Sequence, residues 1–219
     1  MCGICGIVGL SEARDVVERM NAKLTHRGPD HQAVFHERDL ALGISRLAIL
    51  DVEGGNQPMF NEDESVVTVH NGEIYNFREL RDDLIAKGHS FGSTTDSEVL
   101  VHAYEQWGTG MVERLEGMFA FCIWDRKARR LLLARDRFGE KPLFFHRRSD
   151  GLLAFGSELA SLLAYRGIER RPHREALGYY LRVGFVPEPL TAFAGVESLP
   201  PGHTLVWEEG GVTIRAYYR

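Results

Sequence analysis

The chain is poor in the features that mark secreted, membrane-bound or nucleic-acid-binding proteins. Three cysteines in 219 residues cannot build a disulfide framework, so a reducing, cytoplasmic setting is expected. The apolar stretch from Ile4 to Leu10 is broken by glycines and has no basic leader, which excludes a signal core. No run elsewhere is long enough to cross a bilayer, and no membrane contact is expected. Basic charge is not in excess either: 26 Lys and Arg stand against 31 Asp and Glu, a formal charge of -5, which argues against a nucleic-acid or anionic-membrane surface. The one dense basic run, RKARR from Arg126 to Arg130, joins two apolar segments and reads as a solvated hairpin tip. Repeats and low-complexity linkers are absent.

What is present is a chain that is 44% hydrophobic and long enough for one large domain or two small ones. Cys2 to Val8 reads as a strand. Val16, Val17, Met20 and Leu24 recur at helical spacing, which predicts a helix over Glu12 to Leu24 capped by Ser11. LALGISRLAIL (Leu40 to Leu50) and SVVTVH (Ser65 to His70) read as strands, the second buried on both faces. Asn76 with Glu79, and Thr95 with Glu98, form capping-box patterns for helices stopping at Gly88 and near Gly108. Two hairpins follow, MFAFCIW with RLLLARD and PLFFH with LLAFGS, then short helices from Ser157 and near Glu175, and a last hairpin around Gly210-Gly211. Recurrent runs buried on both faces favour stacked sheets covered by helices over a doubly wound parallel sheet.

Several residues carry chemistry as well as a plainer reading. Cys2 directly follows the initiator methionine. Once that methionine is removed, Cys2 bears a free α-amine with an ordinary pKa of roughly 7.7–8.0, so one residue supplies both nucleophile and base. The plainer reading is a small residue buried in a first strand. Cys5 forms a C-x-x-C with Cys2, but no second pair or histidine cluster at ligand spacing follows, so no metal site is expected. A redox pair would need a strand-to-helix context that GICGIVG does not give. In VHNGEIYN, Asn71-Gly72 is either a tight turn or an amide and a backbone N–H aimed together at a developing oxyanion. Arg46 either snorkels or grips a carboxylate through its planar fork. Asp96 starts a helix or meets an ammonium, and Glu73 is a second anionic contact or an exposed residue. Together these suit a free amino acid.

The ordered motifs MCGICGIVG, HRGPD, SRLAILD, QPM, HNGEIYN, STTDSEV, LEGMFAF, ARDRFGEKPLFF, FGSEL and LPPGH resemble the glutaminase domain of class II glutamine amidotransferases, nearest to glutamine-dependent asparagine synthetases. The resemblance runs from Cys2 to the last residues. It implies an α+β N-terminal-nucleophile hydrolase fold, a four-layer αββα sandwich of two antiparallel sheets, with residues 1–219 as one such domain. It further implies that Cys2 attacks the side-chain amide of L-glutamine, that Arg46 holds the substrate carboxylate, and that Leu47 and Ile49 line the site through backbone. Asn71 and Gly72 would form the oxyanion hole, and Glu73 and Asp96 would meet the ammonium. No phosphate-binding glycine loop is present, since EGGNQ lacks the Ser and Asp such a loop needs. No cofactor is therefore expected in this chain, and ATP and Mg belong to an expected synthetase domain in the same or a partner chain. A homodimer, another ammonia acceptor, and a catalytically silent binding module are the alternatives carried forward.

Overall fold

A computed structural model describes residues 1–218 other than Glu53. The strands at the centre of each sheet decide the architecture, because they are buried on both faces and must be covered twice. The first sheet contains β1 (Gly3–Val8), β2 (His31–Glu37), β3 (Leu40–Arg46), β8 (Phe144–Arg147), β9 (Leu153–Gly156) and β10 (Glu197–Ser198), in the order β10-β8-β9-β1-β3-β2. The second contains β4 (Met59–Phe60), β5 (Val66–Ile74), β6 (Gly117–Asp125), β7 (Arg130–Arg135), β11 (His203–Glu208) and β12 (Gly211–Ala216), in the order β12-β11-β7-β6-β5-β4. Every strand pair is antiparallel.

Three apolar clusters separate the layers. Ile4, Val8, Leu42, Ile44 and Phe155 of the first sheet pack against Val67, Val69, Cys122 and Leu133 of the second. On the outer face of the first sheet, Cys5, Ile7 and Ala41 meet Val16, Val17 and Met20 of α1 (Ala13–Ala22) and Leu162 of α4 (Leu159–Leu162). On the outer face of the second, Phe119, Phe121 and Ile123 meet Leu80 and Leu84 of α2 (Phe77–Ala86) and Leu100 and Ala103 of α3 (Val99–Trp107). The result is the αββα sandwich that the resemblance implies. Side-chain alternation separates the two N-terminal cysteines: Cys2 packs toward the second sheet while Cys5 is sealed against α1, and all three cysteines are free thiols.

Several local expectations give way to tertiary demands. β3 ends at Arg46 rather than running to Leu50, because the chain leaves the sheet to build a loop around the arginine. The predicted caps are spent elsewhere. α1 starts without a side-chain cap. The Asn76 amide donates to Arg114 O and accepts from Glu116 N–H, tying α2 to the start of β6. Glu98 accepts from the Gly92 and Ser93 amides rather than closing a box with Thr95. Strands β2, β4 and β10 are additions that periodicity alone did not mark. In the basic hairpin tip, Arg126 pairs with Glu37, Lys127 with Asp63, Arg129 with Asp39 and Arg130 with Glu208, so internal carboxylates meet its charge.

Candidate active site

Where the open ends of β1, β3 and β5 converge, a half-open cleft of about 90 Å³ is lined by residues of both sheets. Cys2, Arg46, Leu47, Ile49, Asn71, Gly72, Glu73 and Asp96 all line it, so the fold brings every expected site residue to one place. Cys2 precedes β1, and its half-buried sulfur lies against the strand exit of β3. Leu47 N–H donates to the sulfur at 3.4 Å and the Leu47 carbonyl accepts from it at 3.7 Å. Arg27 Nε donates to the Cys2 carbonyl at 2.9 Å, fixing the chain just before the sheet. Burial pushes the Cys2 thiol above its ordinary value, and Glu73 adds to the rise. The Leu47 backbone bond, the terminal ammonium and Arg46 pull it back down.

Asn71-Gly72 is not a turn. Both residues sit within β5, opposite Ala120 and Phe119 of β6. Antiparallel pairing alternates bonded and unbonded positions, and Tyr75 N–H donates to Glu116 O, so the odd residues of β5 bond to β6. The even residues turn their amides to the opposite edge. There His70 N–H donates to Gln57 Oε1 at 2.6 Å and Ile74 N–H donates to Asp96 Oδ2 at 2.8 Å. Between these two, the Gly72 amide faces the same edge, and among the described residues no side chain caps it. A Cβ at Gly72 would stand 2.1 Å from the Met118 carbonyl oxygen, so only glycine permits this strand contact. The Asn71 side chain is 1% exposed, and neither Oδ1 nor Nδ2 has a hydrogen-bond partner. Both polar atoms of this amide are thus free to bond a group that enters the cleft.

The charged groups divide into a carboxylate pair and two cations. Burial raises the Glu73 carboxyl above its ordinary range, and the neighbouring Asp96 charge raises it further. That pair is relieved by any cation entering between them. Arg46 is buried, and its two Nη nitrogens donate to Val52 O, Asn56 Oδ1, Leu50 O and Asp51 O at 2.8–3.0 Å. The guanidinium thus fastens the loop that closes one side of the cleft, a role the sequence did not suggest. Gly55 is required there, since a Cβ would approach Arg46 Nη2 to 2.5 Å.

The sequence reading missed His70, Gln57, Ser97 and Lys141, all of which line the cleft. His70 bonds Ser97 Oγ at 2.9 Å through Nδ1 and leaves Nε2 unpartnered. Burial lowers its pKa and favours the neutral ring. Lys141 arrives on a loop built around the buried Asp136 carboxylate, which accepts from the amides of Phe119, Phe138, Glu140 and Lys141. Arg135 reinforces that loop through bonds to the Gly139 and Lys141 carbonyls. In the present chain Lys141 Nζ donates to Met1 Sδ at 3.6 Å, so the first residue covers part of the cleft.

A family model described as a glutamine amidotransferase domain matches residues 1–218. "Asparagine synthetase [glutamine-hydrolyzing] 3" of Bacillus subtilis (strain 168) is 39% identical over 225 residues, covering 100% of this chain and 36% of that protein. The chain thus spans about a third of that relative's length. Among solved structures, the allosteric regulatory enzyme of purine biosynthesis superposes with a TM-score of 0.71 at 21% identity, covering 98% of this chain and 49% of that one. Glutamine phosphoribosylpyrophosphate amidotransferase from B. subtilis superposes at 0.68 and 19% identity, covering 98% and 49%. At these identities the structural likeness concerns the fold.

Proposed function

Since the chain belongs to the glutamine amidotransferase domain family, we propose that it hydrolyses L-glutamine to glutamate and ammonia at Cys2, in support of an ATP-dependent asparagine synthetase. The observation that carries the reading is the convergence on one cleft of the Cys2 sulfur, the unpaired Asn71 amide and the uncapped Gly72 N–H.

Removal of Met1 frees the Cys2 α-amine. The amine takes the thiol proton as sulfur attacks the side-chain carbonyl carbon, and the electron pair of the C=O moves to oxygen. Asn71 Nδ2 and Gly72 N–H receive that oxyanion, a preorganised stabilisation typically worth about 3–4 kcal/mol per donor. Collapse of the tetrahedral species breaks the C–N bond. The amine returns the proton to the departing nitrogen, releasing ammonia and leaving a γ-glutamyl thioester. Water then adds by the same route and regenerates the thiol. Glu73 and Asp96 hold the substrate ammonium, and Arg46 exchanges some of its bonds to the loop for the substrate carboxylate.

The match covers 36% of that relative, whose remaining length supports a synthetase domain as the consumer of ammonia. The test is glutamate release by the chain with Met1 confirmed absent by intact mass. Turnover should be lost in Cys2→Ala, and equal turnover by that variant would remove the mechanism.

A further inference from the structure

A second cluster of chemically capable side chains lies outside the cleft. Glu62 stands in the turn between β4 and β5, His89 follows α2, and His102 and Glu105 lie three residues apart on α3. One ligand atom from each falls within 4.8 Å of the others. None of the four lines the cleft.

His102 is the anomaly that draws attention to the group. It is 1% exposed, and neither ring nitrogen makes a hydrogen bond. Leaving a buried imidazole unpaired is costly, yet both nitrogens face carboxylates. Nδ1 lies 3.4 Å from Glu62 Oε2 and Nε2 lies 3.6 Å from Glu98 Oε1. His89 Nδ1 lies 3.8 Å from Glu62 Oε1 and 3.7 Å from Glu105 Oε2. These separations are too long for hydrogen bonds. They approach the edge of about 3.4 Å that separates ligands on a tetrahedral ion with bonds of about 2.0–2.2 Å.

We propose that Glu62, His89, His102 and Glu105 form a structural site for a divalent transition metal of the zinc class. Two imidazoles and two carboxylates are a borderline donor set, suited to such an ion rather than to calcium or magnesium. Two ligands separated by one helical turn, as on α3, can converge on one ion. Glu98 occupies the outer position, where a carboxylate facing the second ring nitrogen orients a ligating histidine. Its carboxylate is in turn fixed by the Gly92 and Ser93 amides. The ion would pin α3 to the β4–β5 turn and to the end of α2. No single sequence window marks the site, because only His102 and Glu105 share a local spacing, while Glu62 and His89 come from other segments.

The experiment uses the untagged full chain, stripped with a chelator and titrated with zinc chloride. It is run in parallel with a Cys2→Ser chain, so that the cleft thiol does not contribute. Both should retain one zinc per chain by elemental analysis, and zinc at about 100-fold over its Kd should raise Tm by roughly 5–10 °C. Cobalt substitution should give the visible absorption of a tetrahedral centre. A His89→Ala, Glu105→Gln double variant keeps the buried His102, and it should lose both the zinc and the Tm shift. Zinc uptake by the double variant equal to that of the parent would overturn the proposal. So would a parent chain whose Tm zinc does not move, which would make the cluster a set of imidazolium–carboxylate pairs.

Discussion

Asn71 separates stability from activity in a way that can be measured. Its side-chain amide is buried and has no partner at either polar atom, so folding strips it of water without return. An unsatisfied buried polar group costs about 1–3 kcal/mol. In Asn71→Ala that cost disappears, while the lost packing of a small polar side chain offsets it. The net change in stability should stay within about 1 kcal/mol, or roughly 2–4 °C in Tm for a chain of this size. Activity should behave oppositely, because removing one oxyanion donor lowers kcat by about 10²–10³, with KM little changed. Urea denaturation and glutamate release on the same preparation give both numbers. An Asn71→Ala chain destabilised by about 3 kcal/mol would show that the amide serves the fold. Full activity in a folded variant would remove it from the oxyanion hole.

Gly72→Ala should fail differently. The added Cβ meets the Met118 carbonyl at 2.1 Å, so β5 and β6 must part, costing about 1–3 kcal/mol along with activity, as seen by thermal unfolding and turnover. Arg46→Lys should raise KM more than it lowers kcat, since a point charge replaces a fork, and should speed proteolysis within residues 50–56. An unchanged KM would give Arg46 the loop alone. Burial and then Glu73 raise the Cys2 thiol, and only the thiolate reacts with iodoacetamide. Glu73→Gln removes a negative charge that opposes ionisation, so the midpoint of alkylation against pH should move down. A midpoint that stays or rises would mean that the carboxylate does not act on the sulfur.

The layered architecture was legible because apolar alternation is a local signal that repeats in strand after strand. Helix positions were legible for the same reason, but their caps were not. Asn76 and Glu98 carry the letters of capping boxes, yet distant backbone at Arg114 and Glu116 claims the first side chain and the loop amides of Gly92 and Ser93 claim the second. Asn71-Gly72 carries the letters of a turn, and pairing to β6 holds it extended. Asp136, which builds the loop that carries Lys141, is itself tied to Phe119, and His70 is set by bonds to Gln57 and Ser97, pairs 13–27 residues apart in the chain. Sequence windows do not contain such contacts. Cys2, Arg46 and Asp96 were marked in advance by a terminal thiol, a charge in an apolar run and an acid at a helix start.

The Cys2 sulfur and the proposed oxyanion donors, Asn71 and Gly72, ride on different sheets. Nothing covalent near the cleft sets the gap between them. That gap is set by Ile4, Ile44, Val69 and Phe155 meeting across the sandwich. Trimming a methylene there, many residues away from any reacting atom, would let the two halves drift while each half kept its own shape. Turnover would fall with no loss in how either half is built. The hydrophobic filling therefore acts as a spacer for the proposed chemistry, and selection on rate would reach side chains that no substrate in the cleft touches.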